Sequence, residues 1–282
     1  MGRSLSEAAN YVLQQFVSYG VSIPNSSRIK DTYRAICNDD GSTRGFISEK
    51  DVNFNEAREA MRDFSQLEFF FEQIANEPHK ASYHSILQTI VNDSVLPQDD
   101  KTYSRGRNTQ AEVFAFAVCK NAGMQPTFEE PDVICEINEV RYAIAVKRIK
   151  GLSQFVKRIR EGANQIQKRG LTGFLCIDIT MATNPENYSL GMNGQEDALR
   201  HWWEKYMGKT VAQYYPKICY AVRAKGVRGI FLHQHYLVRF GKDYCARSMT
   251  FGVPTTQKPE EEKEWATIYK AFKKGLPNLV DS

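Results

Sequence analysis

The pattern of apolar and polar positions separates a helical first third of the chain from a mixed remainder. Helical periodicity marks four segments of the first third, residues 4–19, 28–37, 54–75 and 82–93. Polar, turn-forming residues fill positions 94–108 and indicate a boundary. The pattern therefore predicts an all-helical N-terminal region over residues 1–104 and a second domain over residues 105–282.

The second domain opens with an apolar helix and a hairpin. Residues 109–121 are apolar nearly all the way round, which is typical of a helix that lies inside a domain. Residues 132–137 and 141–149 have strand character and flank Asn138-Glu139. A two-residue connection of this kind predicts a tight turn between antiparallel strands.

Helical and extended patterns alternate through the rest of the chain. Further elements are predicted as a basic helix at 151–170, a buried strand at 173–180, a helix at 195–207, a strand from 229 and a helix at 260–275. His233 and His235 alternate on the last strand, either as two zinc ligands or as stacked histidines at a surface or interface. This order of elements predicts an α/β fold, with helices packed on a sheet.

The predicted hairpin brings an acid and a lysine to one face. Folding it about its turn sets Asp132 opposite Ala145. Lys147 lies two residues beyond Ala145 and shares its face, because side chains in a strand repeat every second residue. An acid placed at position 145 is expected to point into the same site without loss of the fold.

Glu112 is the one acid in the first two turns of the apolar helix. A buried carboxylate needs a partner or a cation, which makes Glu112 a candidate functional residue. The alternative is a role at the helix start, where an acid interacts with the helix dipole and Asn108 or Thr109 is the cap.

A carboxylate pair beside a lysine suits metal-assisted cleavage of phosphodiesters. Oxygen ligands hold a hard divalent cation, which polarises the phosphate and lowers the pKa of a bound water. A lysine beside them orients that water and offsets charge that develops in the transition state.

Pro131-Asp132, followed by Lys147 and preceded by a helix that carries Glu112, resembles the PD-(D/E)xK superfamily of restriction-endonuclease-like nucleases. The resemblance covers residues 106–180 and extends loosely to 255. It implies a restriction-endonuclease-like core, a central mixed sheet flanked by helices.

The resemblance also implies roles for individual residues. Lys147, Asp132 and Glu112 would be catalytic, and Asp132, Glu112 and the backbone carbonyl of Val146 would hold Mg²⁺ or Mn²⁺. Ala145 stands where the family has its second hairpin acid. This departure implies weaker metal binding, a ligand recruited from elsewhere, or a domain without catalytic activity.

Charge is distributed unevenly along the chain. Residues 1–105 carry 11 Lys and Arg against 15 Asp and Glu, whereas the remainder carries 26 against 18. Between Lys147 and Arg169 the basic residues outnumber the one acid, Glu161. Such a run is usually a solvated face, but its start at the candidate catalytic lysine favours phosphate contacts. The predicted nucleic-acid-binding residues are Arg148, Lys150, Lys157, Arg158, Lys168 and Arg169, with Gln165 as a candidate supporting residue facing the site.

Composition excludes several classes of protein. The chain has 42% apolar and 25% charged residues, as an ordinary soluble domain does, and it has no apolar run near 18 residues. Its start lacks the apolar core of a signal peptide. Six cysteines without a CxxC pair favour reduced thiols in a cytoplasmic protein. The expected partners are DNA and either a second copy or another protein bound through the N-terminal helices, and no membrane.

Three functions of different class are consistent with these patterns. The first is a metal-dependent nuclease that hydrolyses phosphodiester bonds in DNA, in a defence, mobile-element or repair context. The second is a catalytically impaired nuclease fold that binds nucleic acid or serves as an assembly subunit. The third is an unrelated α/β protein in which the motif occurs by chance.

Overall fold

A mixed six-stranded sheet forms the centre of the described part of the chain. The computed structural model describes residues 3–44, 54–78, 80–94, 96, 99, 104–184, 189–192, 196–240, 243–256 and 258–277. The α-helices are α1 (Leu5–Ser18), α2 (Arg28–Ile36), α3 (Phe54–Ile74), α4 (His84–Ile90), α5 (Arg105–Asn121), α6 (Phe155–Arg169), α7 (Thr180–Thr183), α8 (Glu196–Val222) and α9 (Pro259–Gly275). The strands are β1 (Val133–Ile137), β2 (Val140–Arg148), β3 (Gly173–Asp178), β4 (Ser189–Met192), β5 (Val227–Phe240) and β6 (Asp243–Pro254).

The sheet combines an antiparallel hairpin, four strands that run parallel to one another (β2, β3, β5 and β4) and a second antiparallel pair. β1 and β2 are antiparallel, and β2, β3 and the first half of β5 run parallel. β6 returns antiparallel along β5, while β4 pairs with the second half of β5. The predicted α/β fold, with a mixed sheet flanked by helices and a helical N-terminal region, is confirmed.

Alternate side chains of β2 enter two different cores. Ile144 and Val146 pack in the core shared with α5 and the N-terminal helices. Ala143 and Ala145 pack on the opposite face, in the core shared with α6 and α8. Because strand side chains alternate, Lys147 continues the α6 face at the end of β2.

Helix α5 determines where the N-terminal helices pack. Its apolar surface exceeds what the sheet can cover, so α3 lies against the remaining side. Phe69 and Phe70 of α3 contact the rings of Phe114 and Phe116 of α5, with centroids 5.8 and 6.0 Å apart. The N-terminal helices therefore share one hydrophobic core with α5. Binding of a second copy or another protein through these helices stays a prediction.

Several predicted elements have other bounds in the structure. Ser4 and Glu7 form a capping box at the start of α1. Helix α5 begins at Arg105, so neither Asn108 nor Thr109 is its cap. Helix α8 continues far beyond the predicted end at 207, because Val211 and Ile218 keep facing the α6 core. Strand β6 was not predicted, since its mixed polar sequence has strand character only once β5 pairs with it. None of the described helices is both long and apolar enough to span a membrane.

Candidate active site

The hairpin has the register that the sequence predicts. Ile137 pairs with Val140, and Asn138 and Glu139 both have positive φ, 50° and 65°. Such a turn matches the twist of the two strands and fixes their register. Val133 pairs with Ile144, so Asp132 directly precedes β1 at the level of Ala145.

Asp132 and Lys147 meet at the end of this hairpin. Lys147 Nζ donates to Asp132 Oδ2 at 3.0 Å and to the Val146 carbonyl at 2.7 Å. The backbone N–H of Val146 also donates to Asp132 Oδ2, at 2.6 Å. The side chains of Lys147 and Asp132 are only 15% and 12% exposed, so water weakens the ion pair little. The predicted juxtaposition of these two residues is present.

Glu112 reaches the same place from α5. Burial, followed by repulsion from Asp132, raises the pKa of Glu112 from 4.5 to about 7, although Lys147 opposes the shift. Burial also raises the pKa of Asp132 against the opposing effects of Lys147 and the Val146 N–H. Two neighbouring carboxylates repel each other when both are ionised. A bound cation would relieve this repulsion.

These side chains open onto a cleft of about 540 Å³ between α5, the end of β2 and α6. The α6 side presents Arg158, Glu161 and Gln165, one helical turn apart. Gln165 Oε1 is buried and has no hydrogen-bond partner within the described residues. Gln165 thus faces the site as predicted. Glu161 also lines the cleft, but it was not predicted as a site residue. Its position one helical turn before Gln165 would have indicated this placement.

Ala145 lies beneath α6 and does not line the cleft. Ala145 is fully buried, and a Cβ added to Gly162 of α6 would lie 3.2 Å from the Ala145 Cβ. The α6 backbone therefore sits directly over position 145. The expectation that an acid there would point into the site without loss of the fold does not fit this packing.

The predicted nucleic-acid-binding residues fall into two groups. Arg148, Lys150 and Arg158 line the cleft, whereas Lys157, Lys168 and Arg169 are exposed outside it. Arg148 is held by Asp178, with Nε 3.2 Å from Oδ2, and Arg158 pairs with Glu161 at 2.7 Å. Arg169 pairs with Glu129 on the far side of the hairpin. Arg148, Lys150 and Arg158 therefore give the wall of the cleft positive charge, and Arg148 is also an ion-pair partner of Asp178.

The donor set suits a hard cation that keeps part of its water shell. Among the described residues, no three His, Cys, Asp or Glu side chains form a ready-made metal site. Asp132 and Glu112 supply two carboxylates, and the Val146 carbonyl and the unpartnered Gln165 Oε1 add neutral oxygens. Mg²⁺ is bound in this way, through one or two carboxylates and several waters.

His233 and His235 are buried, and within the part of the chain that the structure describes they belong to no group of three or more His, Cys, Asp or Glu side chains that could hold a metal ion. Their rings are stacked, with centroids 5.9 Å apart, but they are only 3% and 8% exposed. The expectation of surface or interface histidines is wrong, because α5 covers this face and Phe114 contacts both rings.

Glu112→Gln is expected to stabilise the metal-free protein at pH 8 and to have a much smaller effect at pH 5. The folded protein holds the Glu112 proton more tightly than the unfolded chain does. The stabilisation from that proton is complete below about pH 4.5 and is lost as the pH rises through 7. A glutamine avoids the loss, which amounts to at most about 3 kcal/mol.

Urea denaturation in EDTA at pH 5 and pH 8 measures this effect, with Glu161→Gln in the same cleft as the matched control. A Glu112→Gln variant that is less stable than wild type at pH 8 would contradict the placement of Glu112 beside Asp132.

No protein-family model matches the chain, and no curated protein matches its sequence.

Proposed function

We propose that the protein is a metal-dependent nuclease that hydrolyses phosphodiester bonds in DNA, on a restriction-endonuclease-like core. The observation that carries the proposal is the convergence of Asp132, Lys147 and Glu112 in one cleft, with the Lys147 ammonium 3.0 Å from the Asp132 carboxylate. Glu112 comes from α5, Asp132 from the residue before β1 and Lys147 from β2, so three separate segments of the chain meet at this point. A defence, mobile-element or repair context fits equally well.

Asp132, Glu112 and the Val146 carbonyl would hold Mg²⁺ or Mn²⁺, with Gln165 as a further oxygen donor. When bound, such a cation polarises a phosphate and supplies a water of lowered pKa. Asp132 keeps the Val146 peptide in place through its bond to the Val146 N–H. Lys147 Nζ donates to the Val146 carbonyl at 2.7 Å, so the chain itself holds both backbone polar groups of Val146.

Lys147 contributes positive charge where a phosphate would lie. Its ammonium bonds the same two oxygens that are proposed as metal ligands, Asp132 Oδ2 and the Val146 carbonyl. With those oxygens holding a cation instead, the Lys147 ammonium would orient water and offset charge on the phosphoryl oxygens.

Cations at the rim support a polyanionic substrate. Lys150 and Arg158 border the cleft, and the part of the chain after residue 105 carries the excess of Lys and Arg. DNA, whether duplex or single-stranded, carries a negative charge on each phosphate. The positive charges at the rim of the cleft would attract these phosphates.

A second candidate is a nuclease fold that binds nucleic acid without cleaving it. It is favoured by the alanine at position 145. Asp132 and Glu112 supply two carboxylates, and a third acid would bind a cation more tightly. Glu161 lies in the cleft but is engaged by Arg158.

Incubation with plasmid and with single- and double-stranded oligonucleotides in Mg²⁺ or Mn²⁺ tests the proposal. We expect cleavage that EDTA abolishes, together with a melting temperature that rises with cation concentration. A rise in melting temperature without cleavage would favour the second candidate. No effect of either cation on melting or on DNA would contradict both metal binding and nuclease activity.

The exposed cations of α6 are expected to contribute affinity and no chemistry. Replacing Lys157 and Lys168 with alanine should weaken DNA binding and lower the slope of log affinity against log salt by about one per lost phosphate contact. Fluorescence anisotropy over a salt series measures the slope, with Lys273→Ala on α9 as the control. An unchanged slope would assign these lysines to a solvated face.

A further inference from the structure

Helix α8 carries most of the large apolar side chains that the described part of the chain leaves exposed. Of five such side chains, three lie on this helix, those of Trp202, Tyr215 and Tyr220. Other residues of α8, such as Trp203 and Ile218, form its buried side and pack in the core shared with α6. Exposed apolar side chains that stand alone are common, whereas exposed apolar side chains gathered into one patch mark a binding surface.

The exposed rings of α8 share one stripe of the helix with lysines. Residues three or four positions apart lie on the same face of a helix, and the aromatic stripe consists of Trp202, Tyr206, Lys209, Gln213, Lys217 and Tyr220. The rings of Trp202 and Tyr206 are stacked, with centroids 5.6 Å apart and planes 10° apart. Tyr220 lies about 21 Å further along the helix than Tyr206. Tyr215 lies outside the stripe and donates to the Pro254 carbonyl at 3.3 Å.

The lysines of the aromatic stripe have no acid beside them. Residues 205–223 include four Lys or Arg and no Asp or Glu. Arg200, nearer the helix start, pairs with Asp197 at 2.8 Å, whereas no carboxylate among the residues that the structure describes pairs with Lys209 or Lys217. A symmetric contact with a second copy would place the same cations opposite each other, because such a contact pairs a surface with itself. The stripe therefore suits a ligand that brings both negative charge and flat rings.

We propose that the aromatic stripe binds a single strand of DNA, with bases stacked on its rings and phosphates beside its lysines. Single-strand-binding surfaces combine aromatic side chains with positive charge in this way, and unpaired bases have free faces that the bases of a duplex lack. Helix α8 packs against α6, and α6 also forms a wall of the cleft. A strand held on α8 would therefore lie one helix away from the proposed nuclease site. The choice of DNA rests on the function proposed for the cleft, whereas the stacking and the charge do not.

Tryptophan fluorescence of the full chain, titrated in EDTA with an oligothymidylate of about twelve nucleotides, tests the proposal. Trp202 is the reporter, because it is 53% exposed whereas Trp203 and Trp265 are buried. We expect saturable quenching by the single strand, since a base stacked on Trp202 quenches its emission, and little quenching by a duplex of the same length. EDTA removes the cation that cleavage would need, so this result does not depend on whether the cleft is a nuclease site.

Variants of exposed residues locate the bound strand. Trp202→Phe should remove most of the quenching, because the reporter is lost. Tyr220→Ala keeps the reporter and should raise the oligothymidylate concentration at half-maximal quenching about fivefold or more, as expected for the loss of one stacked base. Replacing Lys209 and Lys217 with alanine should lower the slope of log affinity against log salt by about 0.7 for each lost phosphate contact. Val17→Ala, at an exposed apolar residue of α1, is the matched control and should leave the affinity within about twofold.

Four results would overturn the proposal. The first is wild-type protein without saturable quenching, or with equal quenching by the duplex. The second is an affinity that Tyr220→Ala leaves unchanged, which would place the strand elsewhere. The third is a wild-type dimer in sedimentation velocity that Trp202→Ala converts to a monomer, which would make the stripe a contact between copies. The fourth is tighter binding of an oligouridylate of the same length, which would exclude DNA as the preferred ligand.

Discussion

Replacing Lys147 with methionine is expected to slow DNA cleavage by about two to three orders of magnitude while leaving Mn²⁺ affinity unchanged or tighter. The ammonium bonds Asp132 Oδ2 and the Val146 carbonyl, which are the proposed metal ligands. Its removal therefore frees both oxygens for a cation. The loss of a preorganised positive charge beside the reacting phosphate should lower the single-turnover rate about 10²- to 10³-fold.

Asp132→Asn separates the two roles. Asparagine can still accept from the Val146 N–H, so the hairpin end should keep its shape, but the ligand charge is lost. We expect at least a tenfold loss of Mn²⁺ affinity, since a neutral amide binds a hard cation more weakly than a carboxylate. Titration calorimetry with Mn²⁺ measures affinity, and Lys157→Met, outside the cleft, is the control. Equal losses of affinity in the Lys147 and Asp132 variants would refute the assignment of roles.

The geometry of the hairpin could be predicted because it depends on neighbours in sequence. A two-residue turn at Asn138 and Glu139 fixes the register, and the period of two then places Asp132 and Lys147 together. The apolar surface of α5 likewise predicted its burial. These features are local, so one sequence contains all the information they need.

The features that the sequence did not reveal depend on contacts between distant segments. Alternation placed His233 and His235 on one face, but only the packing of α5 on that face makes them buried. Arg62 and Asp63 lie on α3, and the helical periodicity of that segment does not show that α5 and the sheet enclose them. Ala145 was interpreted as a position facing the site, because the close approach of Gly162 could not be seen in the sequence.

Packing over Ala145 predicts the outcome of the substitution that would supply the missing acid. Ala145→Glu is expected to destabilise the protein by about 3–5 kcal/mol, because a longer side chain must displace α6 and a carboxylate loses its water. Ala145 is fully buried, and a Cβ added to Gly162 would already lie 2.7 Å from Leu175 Cδ2. Helix α6 is therefore in close contact with the sheet at this level.

Ala145→Gln is the matched control for this substitution, since it has the size of glutamate without the charge. Thermal melts of both variants with and without Mn²⁺ separate steric from electrostatic effects. We expect Mn²⁺ to restore neither variant, because position 145 faces the core beneath α6 and the cation would bind in the cleft beyond it. If Mn²⁺ stabilises the glutamate variant selectively, its carboxylate must reach the cleft beside Glu161 and Gln165. Position 145 would then be a metal-ligand position, and α6 would have to move away from it when the cation binds.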